Sequence, residues 1–282
     1  MASISRSIGK IIFGKMMPRV MYPVVRGRLK GARFTLGSIA GQGGGGSVYF
    51  GMIEPHQTNA FVETLREGQT VLDLGANVGY YSVLASRLVG TKGRVVSFEP
   101  SVRNLSLLYR HLRANQAENV MVIPAACSDT HQLALFASGD TYATGHLVEG
   151  QENAASRIQV TAVPCLTVDE VVERLDLSPD VMKIDVEGAE LDVLKGAAKT
   201  LADCQPAIFL SVHSDQLRES CSKLLEELGY VVETINQEDP NELLAKHQGH
   251  QKNDLPASGP PASSPKPNPQ NEPATASPAR GT

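Results

Sequence analysis

Apolar residues show no sustained period over the first fifty positions and become regularly spaced from about residue 55. Residues 55–65 read as a helix. Thr70–Leu74 is a short apolar run, and residues 80–88 form a helix closed by Gly90. Arg94–Phe98 is rich enough in Val and Phe to be a strand buried on both faces. After Ser101, apolar residues recur at helical spacing at Val102, Leu105, Leu108 and Leu112, and Val120–Ile123 returns to a strand. Residues 133–136 and 158–163 look like strands around a polar loop, an insertion that breaks the rhythm. Thr167 and Glu170 have the spacing of a capping box that opens a helix over 168–175. Further strands are expected at Val181–Ile184, 207–212, 230–235 and 242–245. Helices are expected at 189–201 and 215–228, the latter stopped by Gly229.

Strands that alternate with helices cannot pair as hairpins, so each helix must cross over to bring the next strand alongside the last. The pattern therefore predicts an α/β domain: a mostly parallel, doubly wound, Rossmann-like sheet of about seven strands with flanking helices. Its limits fall at residues 48–246.

The segments outside these limits differ in composition. Residues 1–47 form a basic arm with a glycine-rich loop. Arg6, Lys10, Lys15, Arg19, Arg26, Arg28, Lys30 and Arg33 precede the first acid, Glu54. Gly43–Gly46 separate two strand-like runs at 33–36 and 48–51. A basic amphipathic arm suits peripheral contact with an anionic membrane surface; a solvated leader without a partner is the plainer reading. Residues 247–282 hold eight of the 17 prolines among Ser, Ala, Asn and Gln, with no Val, Ile or aromatic residue after His247. A disordered tail is expected there.

Charge and cysteine usage narrow the function. The net charge of −4 argues against a nucleic-acid binder. Cys127, Cys165, Cys204 and Cys221 contain no C-x-x-C pair, so neither a disulfide framework, a zinc ribbon nor a cluster-bound radical enzyme is expected. Reduced thiols and the lack of an apolar run of about 18 residues point to a cytoplasmic setting.

The chemistry concentrates at strand ends. The run Val71–Tyr80, VLDLGANVGY, puts a strand, a glycine turn and a helix start in direct succession. In an open α/β sheet such turns at the carboxyl ends of strands bind ligands. A dinucleotide turn would read G-x-G-x-x-G, yet Asn77 stands at the second glycine position. Asp73 sits just ahead of the turn, where a carboxylate would repel a pyrophosphate. It would attract S-adenosylmethionine, which carries an ammonium and a sulfonium and no phosphate. Gly75, Asn77 and Gly79 would shape the turn.

Glu99, ending the second strand before Pro100, is placed to accept hydrogen bonds from a ribose diol. Ala125, Ala126 and Cys127 would let an adenine ring lie flat, and Asp129 could accept from its amino group; an ordinary Asx turn explains Asp129 nearly as well. At the fourth strand end, Asp185 and Glu187 offer a carboxylate pair able to orient an acceptor or take its proton. His213, ending the fifth strand, has the intrinsic pKa of a general base near neutrality. No metal ligand is assigned.

Four stretches, VLDLGANVGYYS, VVSFEP, AACSD and KIDVEGAE, together with the strand ending in His213, resemble the FkbM-type methyltransferases in the expected order. The resemblance implies a class I methyltransferase fold with S-adenosylmethionine as cofactor. It also implies O-methylation of a hydroxyl on a sugar, glycolipid or natural product. Carried onto this chain, it implies cofactor positions at Asp73, Gly75, Asn77, Gly79, Glu99 and Asp129, and acceptor-side positions at Asp185, Glu187 and His213. One departure is Ser211, two residues before the final His, where family members often carry an acid. The residues alone also admit a catalytically silent cofactor- or nucleotide-binding module, an NAD-dependent oxidoreductase, or a non-enzymatic surface protein using the basic arm.

Overall fold

A computed structural model describes residues 20–38, 46–138, 145–147 and 160–249. The expected tail from residue 250 on and the first nineteen residues of the arm lie outside these described residues, as does Gly43–Gly45 of the glycine-rich loop.

The chain opens with β1 (Met21–Pro23) and β2 (Arg33–Thr35), a small antiparallel pair, followed by a 3-10 turn at Ser47–Phe50. The run expected as a strand at 48–51 is that turn, ended by Gly51 in the left-handed region. Then come α1 (Pro55–Thr64), β3 (Thr70–Leu74), α2 (Tyr80–Val89), β4 (Arg94–Phe98), α3 (Val102–Ala114) and β5 (Val120–Ile123). A second sheet follows, made of β6 (Ala126–Cys127), β7 (Gln132–Ser138), β8 (Gly145–Leu147) and β9 (Val160–Leu166). The main sheet resumes with α4 (Val168–Arg174), β10 (Val181–Ile184), α5 (Glu190–Lys195), α6 (Ala198–Asp203) and β11 (Ala207–Ser211). The described chain ends with α7 (Asp215–Glu227), β12 (Tyr230–Asn236) and β13 (Asp239–His247).

The main sheet has seven strands in the order β12-β13-β11-β10-β3-β4-β5. Only β13 runs against the rest, inserted by a hairpin between β12 and β11. The chain moves outward from β3 to β5 and then returns to start again at β10 on the other side of β3. The crevice therefore opens at the carboxyl ends of β3 and β10, where the winding reverses. The expected doubly wound, mostly parallel sheet is what the chain forms.

Strand side chains alternate between two cores. Val71, Val95, Val181 and Phe209 face one layer with α1, α2 and α3, around Phe61, Tyr81, Leu84 and Leu108. Leu72, Leu74, Val96, Phe98, Met182, Ile184, Ile208 and Leu210 face the other, with Val168, Val193, Leu201 and Leu225 of α4 to α7. Both faces are covered, which is why these strands read as unbroken apolar runs.

Three local expectations are refined. The helix expected over 189–201 is two helices, α5 and α6, broken at Gly196, where a Cβ would lie 2.1 Å from the Ser128 carbonyl oxygen. Thr167 does cap α4 by accepting from Glu170 N, but Glu170 does not complete the box; its carboxylate meets Arg174 and His131. Residues 20–38, expected within the arm, pack onto the domain: Val24, Leu29, Ala32, Phe34 and Leu36 are buried. Arg26, Arg28, Lys30 and Arg33 stay on the surface. Among the described residues no helix is long and apolar enough to cross a membrane.

Candidate functional site

The turn after β3 brings its residues to the crevice by strained but well-supported backbone. Gly75, Asn77 and Gly79 all have positive φ, at 85°, 52° and 92°. Gly75 N and Ala76 N both donate to the Phe98 carbonyl, tying the turn to β4. A Cβ on Gly75 would sit 1.9 Å from the Asp185 carbonyl oxygen, and one on Gly79 2.5 Å from Leu108 Cδ1. Both glycines are thus demanded by packing within the protein as well as by backbone conformation. Gly75 and Asn77 line the crevice.

Glu99 is buried at the end of β4, 4% exposed. One carboxylate oxygen accepts from Asn77 N at 2.7 Å; the other accepts from Ser101 N at 2.8 Å and from Asn104 Nδ2 at 3.3 Å. Burial raises its pKa to about 7 against these three donors. Glu99 therefore organises the turn and α3 together, and it faces a cavity of mixed character, with Ser101, Arg103 and Asn104 on its polar side. Phe98, Pro100, Ala125, Ala126, Cys127, Phe136, Leu147 and Val186 line that cavity. Phe136 and Leu147 come from the second sheet, so the insertion forms one wall. Asp129 is not brought to either cavity: it is exposed and accepts from the Ser128 and Thr130 hydroxyls.

A second cavity adjoins the first along Gly75, Asn77, Asp185 and Glu187. Its walls are acidic, with Glu54, Asp73, Asp185, Glu187, Asp239 and Glu242 around a single lysine, Lys183. Asp73 is buried and accepts from Ser82 Oγ at 2.6 Å, in a chain continued by Ser97. Burial raises its pKa and Lys183 opposes the rise. The Lys183 ammonium lies 2.9 Å from Asp185 Oδ2 and 4.7 Å over the Tyr81 ring. Burial works against that charge, but Asp185, Glu54 and Asp73 outweigh it and hold the pKa above the ordinary lysine value.

His213 meets the same acids. Its Nδ1 is 2.7 Å from Glu190 Oε1, and its Nε2 is 3.3 Å from Glu187 Oε2 and 3.7 Å from Asp185 Oδ1. The Glu190 hydrogen bond, with Glu187 and Asp185 behind it, lifts the imidazole to about 9 against desolvation. That rise favours the protonated imidazole and runs against the role of general base expected for His213. Glu187, in the left-handed region at φ 57°, has its carboxyl raised by burial, partly offset by His213. Asp185, Glu187 and His213 place one ligand atom each within 4.8 Å of one another, a grouping able to hold a metal ion.

The structure thus joins Asp73, Gly75, Asn77, Glu99, Asp185, Glu187 and His213 at one crevice, with Gly79 in support and Asp129 apart. Lys183, Glu190 and Glu242 were not singled out by sequence. Lys183 and Glu190 stand inside KIDVEGAE, where the alternation of β10 and the first turn of α5 could have placed them. Glu242 could not be found that way, because it depends on β13 pairing beside β11. There it lies opposite Ser211, so the acid absent at 211 is supplied to the same cavity from the neighbouring strand.

The donor set fits S-adenosylmethionine. A cavity with an apolar side for a ring and a carboxylate for ribose hydroxyls suits adenosine, and the adjoining acidic cavity suits the cationic methionine end. The same acids would repel a pyrophosphate, which disfavours a dinucleotide.

Comparison with known proteins agrees. Residues 73–236 match the Methyltransferase FkbM domain family. The hexuronic acid methyltransferase AglP of Haloferax volcanii is 26% identical over 168 residues, covering 59% of this chain and 65% of that protein. The chain thus spans a little under two thirds of that relative. Protein-L-isoaspartate O-methyltransferase 1 of Archaeoglobus fulgidus is 38% identical over 71 residues, covering 24% of this chain and 33% of that protein. The crystal structure of methyltransferase FkbM from Methylobacillus flagellatus KT is 18% identical, with a TM-score of 0.46 over 68% of this chain and 51% of that one. With a family match that runs from Asp73 near the end of β3 to the end of β12, the chain belongs to the FkbM methyltransferase family and carries a SAM-dependent methyltransferase domain.

Proposed function

We propose that this protein methylates a hydroxyl oxygen on a sugar, glycolipid or natural product. One observation supports the reading above all: the cavity beside Glu99, with its apolar side, and the acidic cavity meet at Gly75, Asn77, Asp185 and Glu187. Seated across that junction, S-adenosylmethionine supplies an electrophilic methyl group whose bond to sulfur breaks as the bond to oxygen forms. Glu99 would accept from a ribose hydroxyl with the one lone pair that its three protein donors leave on Oε2. The apolar walls, including Phe136 and Leu147, would exclude water from the adenine. Asp185 and Glu187 would receive the acceptor hydroxyl as a hydrogen-bond donor and take its proton, burial raising the Glu187 carboxyl toward that task. Orientation of the acceptor oxygen along the sulfur–methyl axis would supply about 7–11 kcal/mol in favourable cases. A sugar acceptor is also in keeping with the similarity to a hexuronic acid methyltransferase.

The test separates cofactor from acceptor. Asp185→Asn should lower S-adenosylhomocysteine release over a panel of hydroxylated glycans and polyketides by about 10²–10⁴. The same variant should change S-adenosylmethionine affinity, read by calorimetry, by less than about tenfold. Loss of cofactor binding in the variant would move Asp185 to the cofactor side. Normal turnover would remove it from the chemistry.

A further inference from the structure

The acidic cavity has more acceptors than its own donors can serve. Six carboxylates face it, and the described cations there are Lys183 and His213. Lys183 is already committed to Asp185 and the Tyr81 ring. On the far wall, Glu242 Oε2 and Asn241 Oδ1 are buried and make no hydrogen bond within the protein. Both are acceptor oxygens, so this wall is completed by donors or a cation from outside the protein, whether water, the cofactor's ammonium or a metal ion.

The geometry of the near wall says where a cation would sit. Ligand atoms about 2.0–2.2 Å from one ion, in a tetrahedral or octahedral shell, lie roughly 3.0–3.5 Å from each other. His213 Nε2 is 3.3 Å from Glu187 Oε2 and 3.7 Å from Asp185 Oδ1. All three ligand atoms lie within 4.8 Å of one another, so the carboxylates must close in on the ion when it binds.

A further feature lies behind the imidazole. Ligating histidines donate their second ring N–H to a carboxylate, which fixes the tautomer and aims the free lone pair at the metal. Glu190 does this from a fully buried position, its side chain 0% exposed, at 2.7 Å from Nδ1. The same Glu190 oxygen also accepts from Gly188 N, so the carboxylate is anchored to the loop that carries Glu187. Its other oxygen is buried without a partner. A buried carboxylate so placed has the cost of its desolvation balanced when a cation sits on the far side of the ring.

We infer that Asp185, Glu187 and His213 bind one divalent cation, with Glu190 orienting His213, and that the cation's open positions hold the acceptor's oxygen beside the cofactor crevice. One imidazole with two carboxylates suits a borderline ion such as Mn²⁺ or Zn²⁺ better than Mg²⁺. The acceptor role rests on the methyltransfer reading above; the ion site itself does not.

The experiment uses the full chain, stripped with chelator and titrated with Mn²⁺ alone, the free ion being followed by electron paramagnetic resonance. S-adenosylhomocysteine calorimetry runs in parallel on each protein. One Mn²⁺ per chain is expected. Glu190→Gln should weaken it by about 10–100-fold, the usual effect of losing such an orienting group. Glu187→Gln, a change on the half-buried loop after β10, should weaken it as well, while Glu226→Gln on the exposed face of α7 should not. Should Glu190→Gln fail to fold, Glu187→Gln still decides. Absence of a saturable site, or equal binding by wild type and Glu187→Gln, would overturn the inference. Retained S-adenosylhomocysteine binding alongside either result leaves the methyltransfer reading intact, whereas its absence in the wild type defeats that reading separately.

Discussion

At the scale of single residues, Glu99 carries the most testable physics. It is buried, yet it accepts hydrogen bonds from Asn77 N, Ser101 N and Asn104. Burial wins, and the pKa rises to about 7. Because the folded value lies above the unfolded one, folding favours the protonated form. Its contribution to stability is fully present below the ordinary glutamate range of about 4.3 and is lost as pH rises through about 7. Ligand binding should run the other way, since ribose hydroxyls and a cationic ligand favour the carboxylate. S-adenosylmethionine affinity measured by calorimetry should therefore fall as pH is lowered from 8 to 6. Glu99→Gln should bind roughly 10–150-fold more weakly, the loss of about 1.5–3 kcal/mol of charge-assisted hydrogen bonding. The pH dependence should flatten with it. A variant with wild-type affinity would place the ribose elsewhere.

At the scale of elements, the break between α5 and α6 is the informative feature. Apolar spacing over 189–201 gave a single helix, and Gly196 has φ −71° and ψ −4°, a conformation open to any residue. Replacing such a glycine with alanine ordinarily stabilises a protein by about 0.4–1 kcal/mol. Here the added methyl would meet the Ser128 carbonyl at 2.1 Å and approach Asp129 Cα at 3.2 Å. Both neighbours are backbone, and Gly196 O also receives Asp169 N. Gly196→Ala should therefore destabilise, by about 1–3 kcal/mol as overpacking typically does. A raised melting temperature would mean the β6–α4 corner is looser than its hydrogen bonds suggest. The same reasoning explains why the seventh strand was short in the sequence reading and long in the structure. Asp239–His247 is half polar, and its length is supported by pairing on both edges, with β11 and β12.

At the scale of the whole molecule, the folded unit begins earlier than the regular apolar pattern does. His111 in α3 joins three parts of the chain. Its Nδ1 meets the Val78 carbonyl of the glycine turn, and its Nε2 accepts from Thr35 N. Burial keeps this imidazole's pKa low, consistent with a neutral ring that donates on one side and accepts on the other. Phe34 packs on the same ring, and its carbonyl accepts from the Tyr49 hydroxyl. A truncation beginning at residue 48 exposes the surfaces under Val24, Leu29, Phe34 and Leu36, at about 1.5–3 kcal/mol for each side chain. That is comparable with a domain's whole margin of about 5–15 kcal/mol. Such a protein should melt far below one beginning at residue 20, or show no cooperative transition. Equal melting temperatures would show that residues 20–38 contribute little to the fold.

The sequence by itself determined the alternation of strand and helix, the reversal-point architecture, and the strand-end positions of Asp73, Glu99, Asp185 and His213. These follow from local rules. A strand covered on both faces must be apolar throughout, a glycine turn must follow it where φ is positive, and acids gather where strands end in a crevice. The resemblance carried by KIDVEGAE and its companion runs named the family on the same local grounds. Tertiary structure alone decided what depends on groups distant in sequence. Asp129 turns to solvent because its neighbours Ser128 and Thr130 satisfy it locally. Gly75 is held by Asp185, 110 positions away. The His213 pKa is raised because the chain folds Glu190, Glu187 and Asp185 around it, and Glu242 reaches the cavity only because β13 inserts beside β11. Periodicity reports which face of an element is buried; it carries no information on which carboxylates share a cavity, and the strength of their coupling there depends on separations of 3 to 4 Å that only packing sets.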